Sequence, residues 1–208
     1  MKRNGKFTPL IKRVFDILFS LIMAIILSPV LIMVSIVLVI SDGFPVFFTQ
    51  TRPGKNGNPF ELHKFRTMKI VQNQNNELSA DGDRITKFGN FLRIMSIDEL
   101  PELFNVLKGE MSIVGPRPLL MQYLGRYSDE QSRRHDVLPG ITGWAQINGR
   151  NAISWEEKFR LDVWYVDNWT FWLDFRIILL TIWKVIKGEG ISQPGRATMD
   201  EFMGNAEK

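Results

Sequence analysis

The stretch "ILFSLIMAIILSPVLIMVSIVLVI", residues 17–40, carries no charged side chain. A helix over these 24 residues is about 36 Å long, whereas the hydrocarbon core of a bilayer is about 30 Å thick. A cleaved signal peptide is the alternative, but the apolar run is too long and lacks a convincing small-residue cleavage site. The stretch is therefore predicted to lie in a membrane.

Ser28 and Pro29 interrupt this stretch at its midpoint. Proline removes an intrahelical hydrogen bond and clashes with the carbonyl of Ile25, while the Ser28 hydroxyl can donate to a freed carbonyl where no water is available. Each half is then about 18 Å long, enough to enter one leaflet and return. We predict a re-entrant helix-break-helix hairpin. A kinked spanning helix is the alternative, and basic residues on both sides of the stretch do not decide between them.

Downstream, the segment "PVFFTQTRPGKNGNPFELHKF", residues 45–65, has apolar and β-branched residues on either side of a turn at residues 52–57. This pattern predicts a small β-hairpin. Residues 71–83 are polar and predict a mobile loop. Residues 87–109 have the apolar period of a helix that ends at Gly109, and Pro101 favours a helix start near Asp98 and Glu99.

Five tryptophans fall between Trp155 and Trp183. From residue 170 to 187, Asp174, Thr181 and Lys184 line one narrow face, and charges in this segment make a midplane position costly. The pattern predicts amphipathic helices at a membrane interface, with buried helices of a globular core as the alternative. The predicted fold class is α+β and mainly helical.

The predicted organisation has two parts. Residues 1–42 form a basic N-terminus with the re-entrant membrane hairpin, and residues 43–208 form a cytoplasmic catalytic domain that includes the interfacial helices. Cysteine is absent from the 208 residues, and there are only two histidines. This composition excludes disulfides and thiolate chemistry, so any metal is expected to be a hard, oxygen-bound ion such as magnesium. The net charge of +4 suits an anionic membrane, a phosphorylated substrate or nucleic acid.

The segment "SIDELPELFNVLKGEMSIVGPRPL", residues 96–119, carries the candidate chemistry. Asp98 and Glu99 are adjacent, and Pro116 and Pro118 restrict the backbone that presents Arg117. Ser96 and Glu99 also match a helix capping box, which is the purely structural interpretation. Further basic candidates for phosphate binding are Lys64, Arg93 and Arg150. One carboxylate can attack phosphorus while the other holds a metal, so the set predicts a phosphoryl-transfer site.

Three motifs, "KFRTM" (64–68), the 96–119 segment and "PGITGWAQINGRN" (139–151), resemble the bacterial sugar transferase family, the monotopic phosphoglycosyl transferases. The resemblance implies transfer of a sugar phosphate from a UDP-sugar to undecaprenyl phosphate, with release of UMP, at the cytoplasmic face of the bacterial inner membrane. It implies a magnesium-dependent, ping-pong reaction with Asp98 as nucleophile and Glu99 as its metal-linked partner. Lys64, Arg93, Arg117 and Arg150 correspond to phosphate-contacting positions, and Ser28-Pro29 to the helix break.

The resemblance is greatest to the short enzymes of N-linked protein glycosylation that act on UDP-N,N'-diacetylbacillosamine, and residues 134–166 carry much of it. Larger members have additional N-terminal spanning helices, which are not expected here. Downstream glycosyl transferases are candidate partners.

Three other functions are alternatives. The first is a nucleic-acid binder, but its basic residues should form a stripe among exposed aromatics, and here they cluster around acids; nucleic acid is therefore not an expected partner. The second is a non-catalytic membrane-tethered assembly anchor, which would tolerate loss of Asp98. The third is a glycosyl transferase that moves sugar alone, and it would release UDP instead of UMP.

Overall fold

The computed structural model describes residues 10–69, 84–149, 152–187 and 201–204. The predicted loop at residues 71–83 lies outside the described residues. The helices are α1 (Leu10–Ile26), α2 (Ser28–Asp42), α3 (Lys87–Ile94), α4 (Glu102–Lys108), α5 (Asp129–Ser132), α6 (Trp144–Ile147), α7 (Trp155–Asn168) and α8 (Phe171–Lys187). The strands are β1 (Phe47–Pro53), β2 (Pro59–Phe65), β3 (Ser112–Val114) and β4 (Gly140–Thr142). This is a mixed α/β fold that is mostly helical, as predicted.

The break at Ser28-Pro29 is present where the sequence predicts it. Helices α1 and α2 meet at a bend of 59°, and the Ser28 hydroxyl donates to the carbonyl of Ile25 at 2.8 Å. Serine thus satisfies the carbonyl that the proline ring deprives of its usual partner. Among the described residues, no single helix has the length and apolar composition to cross a membrane, whereas the bent α1–α2 pair meets both criteria together.

Helix α1 begins earlier than the uncharged stretch, and one of its faces is polar and buried. Lys12, Asp16 and Ser20 are four residues apart, so they lie on one side of the helix, and all three are buried. Lys12 forms an ion pair with Asp174 of α8 at 2.5 Å, and Asp16 accepts a hydrogen bond from the backbone N–H of Ile113 at 3.2 Å. These contacts fix α1 against the rest of the fold. The domain boundary at residues 42/43 stays a prediction.

Two small sheets organise the centre of the fold. Strands β1 and β2 pair antiparallel from Phe47↔Phe65 to Pro53↔Pro59, which confirms the predicted hairpin. Asn56 in its turn has φ of 58° and Gly57 has φ of 77°, as a tight reversal between paired strands requires. Strands β3 and β4 pair in parallel, and this pairing was not predicted because it joins segments that are far apart in sequence.

The apolar period over residues 87–109 belongs to two helices, and the helix start predicted near Asp98 and Glu99 is close to the observed start of α4 at Glu102. Helix α3 ends at Ile94, Ser96 takes a left-handed conformation with φ of 54°, and a short 3-10 turn, Ile97–Glu99, leads through Pro101 into α4. No capping bond from the Ser96 side chain forms, so the capping-box interpretation is wrong. Pro101 explains the break, because proline fits the start of a helix and not its interior. The predicted end at Gly109 is confirmed, with φ of 94°.

Helix α8 buries Ile177 and Ile178 against the core and leaves a second set of large apolar side chains exposed. Asp174 is buried, while Trp172 is 76% and Ile186 74% exposed. Thr181 shares a hydrogen bond with Thr142 of β4 at 2.6 Å. The exposed apolar set favours an interfacial helix, which stays a prediction. Helices α1 and α2 also expose large apolar side chains, among them Ile11, Leu18, Ile25, Ile32, Ile36 and Ile40.

Candidate active site

The two adjacent acids lie in the 3-10 turn between α3 and α4. Asp98 is 9% and Glu99 8% exposed, so both carboxylates are almost removed from water. A buried charge requires a partner or a shifted pKa. The surroundings of this turn therefore determine what the two carboxylates can do.

Two cations bind the same oxygen of Glu99. Lys64 Nζ, on β2, lies 2.9 Å from Glu99 Oε1, and Arg117 Nη2 donates to that oxygen as well. Lys64 also lies 3.1 Å from Oε1 of Glu102, a third buried acid at the start of α4. The structure therefore brings the predicted site residues Lys64, Asp98, Glu99 and Arg117 close together. It adds Glu102, which sequence reasoning missed although its place three residues after Glu99 was a usable signal.

Burial and crowding of like charges change the proton affinity of these acids. Burial raises the pKa of Asp98, and the neighbouring Glu99 raises it further, while Lys64, Arg117 and Arg93 act in the opposite direction. Burial also raises the pKa of Glu102 to about 7. The pKa of Arg117 is raised, chiefly by Glu99, so its guanidinium remains charged. Keeping all three acids of the cluster ionised is therefore costly in free energy, and raised pKa values of this kind are common at functional sites.

The backbone around Arg117 is held in place by a buried ion pair between Arg134 and Asp162. Arg134 donates from Nη2 to the carbonyl of Arg117 at 2.8 Å and to Oδ2 of Asp162 at 2.7 Å. It also donates to the hydroxyl of Tyr127 at 3.2 Å. Arg134 thus fixes the Pro-Arg-Pro segment whose side chain contacts Glu99. Arg134 was not among the predicted site residues, because its partner Asp162 is distant in sequence and leaves no local signal.

The other predicted basic residues differ in position. Arg93 donates from Nε to the hydroxyl of Thr67 at 3.0 Å and is close enough to Asp98 to lower its pKa. Arg66, which follows Lys64 by two residues and was not among these candidates, donates to the carbonyls of Asp42 and Gly43, both at 2.6 Å, and so anchors the end of α2. Arg150 lies outside the described residues.

A magnesium ion fits this site only together with a phosphorylated ligand. In the part of the chain that the structure describes, no three His, Asp or Glu side chains are grouped to hold a metal ion. Asp98 and Glu99 offer two adjacent carboxylates. Mg²⁺ commonly binds one or two carboxylates plus substrate phosphates and is seldom held by a cage of protein ligands alone.

A largely apolar pocket of about 140 Å³ adjoins Glu99. It lies between the 3-10 turn, β4, α6 and α8, and Lys184 contributes to its wall. Anion-binding side chains and an apolar cavity thus lie side by side. An arrangement of this kind suits an enzyme that handles an anionic group attached to an apolar body.

Comparison with known proteins agrees with an enzyme that handles an anionic group attached to an apolar body. Residues 7–188 match the family described as bacterial sugar transferase, and the chain belongs to that family. It is 52% identical over 198 residues to an uncharacterized sugar transferase, EpsL, of Bacillus subtilis (strain 168), covering 95% of this chain and 98% of that protein.

Two relatives have names that state a reaction. The chain is 40% identical to the UDP-glucose:undecaprenyl-phosphate glucose-1-phosphate transferase of Escherichia coli (strain K12), covering 84% of this chain and 40% of that protein. It is 39% identical to the undecaprenyl-phosphate galactose phosphotransferase of Salmonella typhimurium, covering 91% of this chain and 42% of that protein. This chain thus spans about two fifths of the length of these relatives.

Proposed function

We propose that the protein is a phosphoglycosyl transferase, which moves a sugar 1-phosphate from a UDP-sugar to undecaprenyl phosphate and releases UMP. The observation that carries the proposal is the pair of buried, adjacent acids, Asp98 and Glu99, with Lys64 and Arg117 converging on Glu99. The family membership and the reactions named for the Escherichia coli and Salmonella relatives support the same chemistry.

The reaction has two steps at one phosphorus atom. A carboxylate oxygen of Asp98 attacks the phosphorus that carries the sugar, and the bond from that phosphorus to the UMP oxygen breaks, with UMP taking the electron pair. An oxygen of the acceptor phosphate then attacks the same phosphorus and displaces the Asp98 carboxylate. The burial that raises the pKa of Asp98 also leaves its ionised form poorly solvated, and Lys64, Arg93 and Arg117 keep that form accessible.

Arg117 and Lys64 have separate roles in this scheme. The planar guanidinium of Arg117 can bind a phosphate through two hydrogen bonds, whereas the Lys64 ammonium acts as a compact charge. Both side chains form ion pairs with Glu99 in the structure. A diphosphate entering the site would compete with Glu99 for the two cations. We propose that Glu99, with Asp98 beside it, holds Mg²⁺ with the donor diphosphate, where the ion would offset phosphate charge.

We propose that α1 and α2 form a re-entrant segment with both ends on the cytoplasmic face of the bacterial inner membrane. The bend at Leu27 and the exposed apolar faces of α1, α2 and α8 support this position. The chain has no cysteine, so single cysteines introduced at Lys2 and Asn56 can report sidedness. Labelling of both from the same side is expected. Labelling from opposite sides would show a spanning helix, towards which Pro29→Ala should shift part of the population.

For the donor, UDP-N,N'-diacetylbacillosamine stays a prediction from the resemblance. The relatives named above act, by their names, with glucose and galactose. A panel of the three UDP-sugars at equal concentration, compared by kcat/KM, tests the prediction. A preference for UDP-glucose or UDP-galactose would contradict it. Supply of the lipid-linked sugar to downstream glycosyl transferases also stays a prediction.

The released nucleotide tests the proposed function. Purified protein is incubated with Mg²⁺, UDP-sugar and undecaprenyl phosphate, and the products are separated by chromatography. UMP and a lipid-linked sugar diphosphate are expected, and Asp98→Asn should yield neither. Asp129→Asn, at an exposed aspartate, is the matched control and should retain activity. Release of UDP would identify transfer of the sugar alone, full activity of Asp98→Asn would remove Asp98 as the nucleophile, and absence of any product from the wild type would favour the non-catalytic assembly anchor.

A further inference from the structure

The pocket beside Glu99 has an unusual wall. Its apolar lining comes from four parts of the fold, namely the end of α3 with the following turn, α4, the β4–α6 segment and α8. These side chains are Ile94, Leu100, Leu103, Ile141, Ile147 and Val185. Glu99 lies at one edge of the pocket and Lys184 at another. A single cation therefore faces a cavity that is otherwise mostly apolar.

Lys184 is half-buried, and among the residues that the structure describes it has no hydrogen-bond or ion-pair partner. Every other described cation that lines the candidate site is paired: Lys64 and Arg117 with Glu99, and Arg93 with Thr67. Placing a lysine without a partner against apolar surface costs free energy that a bound anion would recover. The wall thus points to a ligand with one anionic group and an apolar body.

The apolar surface continues from the pocket to the outside of the molecule. Lys184 and Val185 line the pocket, whereas Ile182, Trp183 and Ile186, on the same two turns of α8, are more than half exposed. A hydrocarbon chain that leaves the pocket past α8 would therefore stay on apolar side chains. A nucleotide would gain little from this path, because its ribose and phosphates are polar.

We propose that this pocket holds the first isoprene units of the polyprenyl phosphate acceptor, with the Lys184 ammonium bound to its phosphate. The inference rests on the proposed function and adds a location for the second substrate. The acceptor would thereby approach Asp98 from the side of α8, while the donor diphosphate engages Lys64 and Arg117. The pocket separates the two substrates although they react in turn at one carboxylate.

Because the two half-reactions use different substrates, they distinguish the pocket's occupant. UMP released on mixing enzyme with UDP-sugar and Mg²⁺, without lipid, reports the first half-reaction. Turnover against increasing undecaprenyl phosphate in detergent reports the second. We expect Lys184→Glu to leave the lipid-free UMP release unchanged and to raise the KM for undecaprenyl phosphate about tenfold or more. Arg176→Glu is the control, since it makes the same charge change at an exposed position of α8.

A second variant tests the apolar wall without changing charge. Val185→Trp should fill the pocket and slow acceptor-dependent turnover, while Leu179→Trp, on the exposed side of α8, should have little effect. Decyl phosphate, a short single-chain phosphate, should compete with undecaprenyl phosphate in the wild type and compete less in Lys184→Glu.

Three results would overturn the inference. One is an equal rise in acceptor KM for Lys184→Glu and Arg176→Glu, which would indicate only general attraction to an anionic surface. Another is a loss of lipid-free UMP release in the Lys184 and Val185 variants, which would assign the pocket to the donor. The third is wild-type kinetics in both variants. Absence of UMP release from the wild-type enzyme would instead overturn the proposed function, so the two failures are distinguishable.

Discussion

Two clusters of buried charged side chains lie next to each other in this molecule, and they differ in how the charges are paired. Arg134 and Asp162 form a closed one-to-one pair, with side chains 1% and 3% exposed, and the remaining Arg134 donors bind Tyr127 and the Arg117 carbonyl. In the neighbouring cluster, Lys64 contacts both Glu99 and Glu102, Arg117 contacts Glu99, and Arg93 lies near Asp98. Arg117 is 34% exposed there, and an apolar pocket adjoins Glu99.

The difference separates a structural pair from a reactive site. Where each charge has its own partner and no access to solvent, the pair holds backbone in place. Where several buried acids and cations share contacts beside a cavity, pKa values shift and an incoming anion can exchange with a carboxylate. Substitutions in the closed pair should therefore affect mainly stability, and substitutions in the open cluster mainly activity.

The largest effect is expected for Asp98→Asn. Loss of the nucleophile should lower turnover by about 10³-fold or more. Stability should not fall, because burial already disfavours the charged form of Asp98. Turnover and the thermal midpoint of the same preparation measure both quantities. Residual turnover within tenfold of wild type would remove Asp98 from the chemistry.

The converse result is expected in the closed pair. Asp162→Asn leaves the Arg134 charge buried without a counter-charge, so the free energy of unfolding should fall by about 3–5 kcal/mol. Asp167→Asn, on the same helix and in an exposed pair with Arg133, should cost about 1 kcal/mol or less. Denaturant unfolding in detergent micelles measures both. Equal losses in the two variants would contradict the distinction.

A smaller loss is expected for Arg117→Lys. Lysine keeps the charge but cannot make two parallel hydrogen bonds to a phosphate, so kcat/KM should fall by about 1.5–3 kcal/mol in transition-state free energy. Arg160→Lys, at an exposed arginine, is the control and should behave like wild type. Wild-type kinetics for Arg117→Lys would place Arg117 among ordinary surface charges.

The last effect concerns the pH dependence of stability. The pKa of Glu102 is raised from 4.5 to about 7, so between these values the folded state holds a proton that the unfolded state has released. The stabilising contribution is complete below pH 4.5, the unfolded pKa, and is lost as pH rises through about 7. Glu102→Gln should therefore be less sensitive to pH in this window than the wild type. An unchanged pH profile of the unfolding free energy would contradict the raised pKa.

Local chemistry made part of the fold predictable. The break at Ser28-Pro29 and the turn of the β1–β2 hairpin are determined by proline, serine, asparagine and glycine within a few residues. The apolar period over residues 87–109 continues through the chain break, and it was Pro101 that placed the start of α4 near the two acids. The parallel β3–β4 pair depends on distant contacts and has no local signal.

In the candidate site, too, residues close in sequence could be predicted and contacts between distant residues could not. Asp98, Glu99 and Arg117 are close in sequence and could be identified from residue type, and Lys64 was added by its motif. Lys12, Asp16 and Ser20, at a spacing of four, were a detectable polar stripe that the general apolar character of α1 obscured. Arg134 and Asp162 were not predictable, because only the folded chain brings them beneath Arg117.

A lipid-free incubation tests the central claim most directly. Enzyme, Mg²⁺ and UDP-sugar are mixed without polyprenyl phosphate, and UMP and the digested protein are analysed by chromatography and mass spectrometry. The account predicts UMP in an amount comparable to the enzyme and one sugar phosphate on the peptide containing Asp98. Asp98→Asn should lose both signals, whereas Glu99→Gln should slow the reaction and leave the adduct on Asp98. An adduct on Glu99, or no UMP until the lipid is added, would contradict the account.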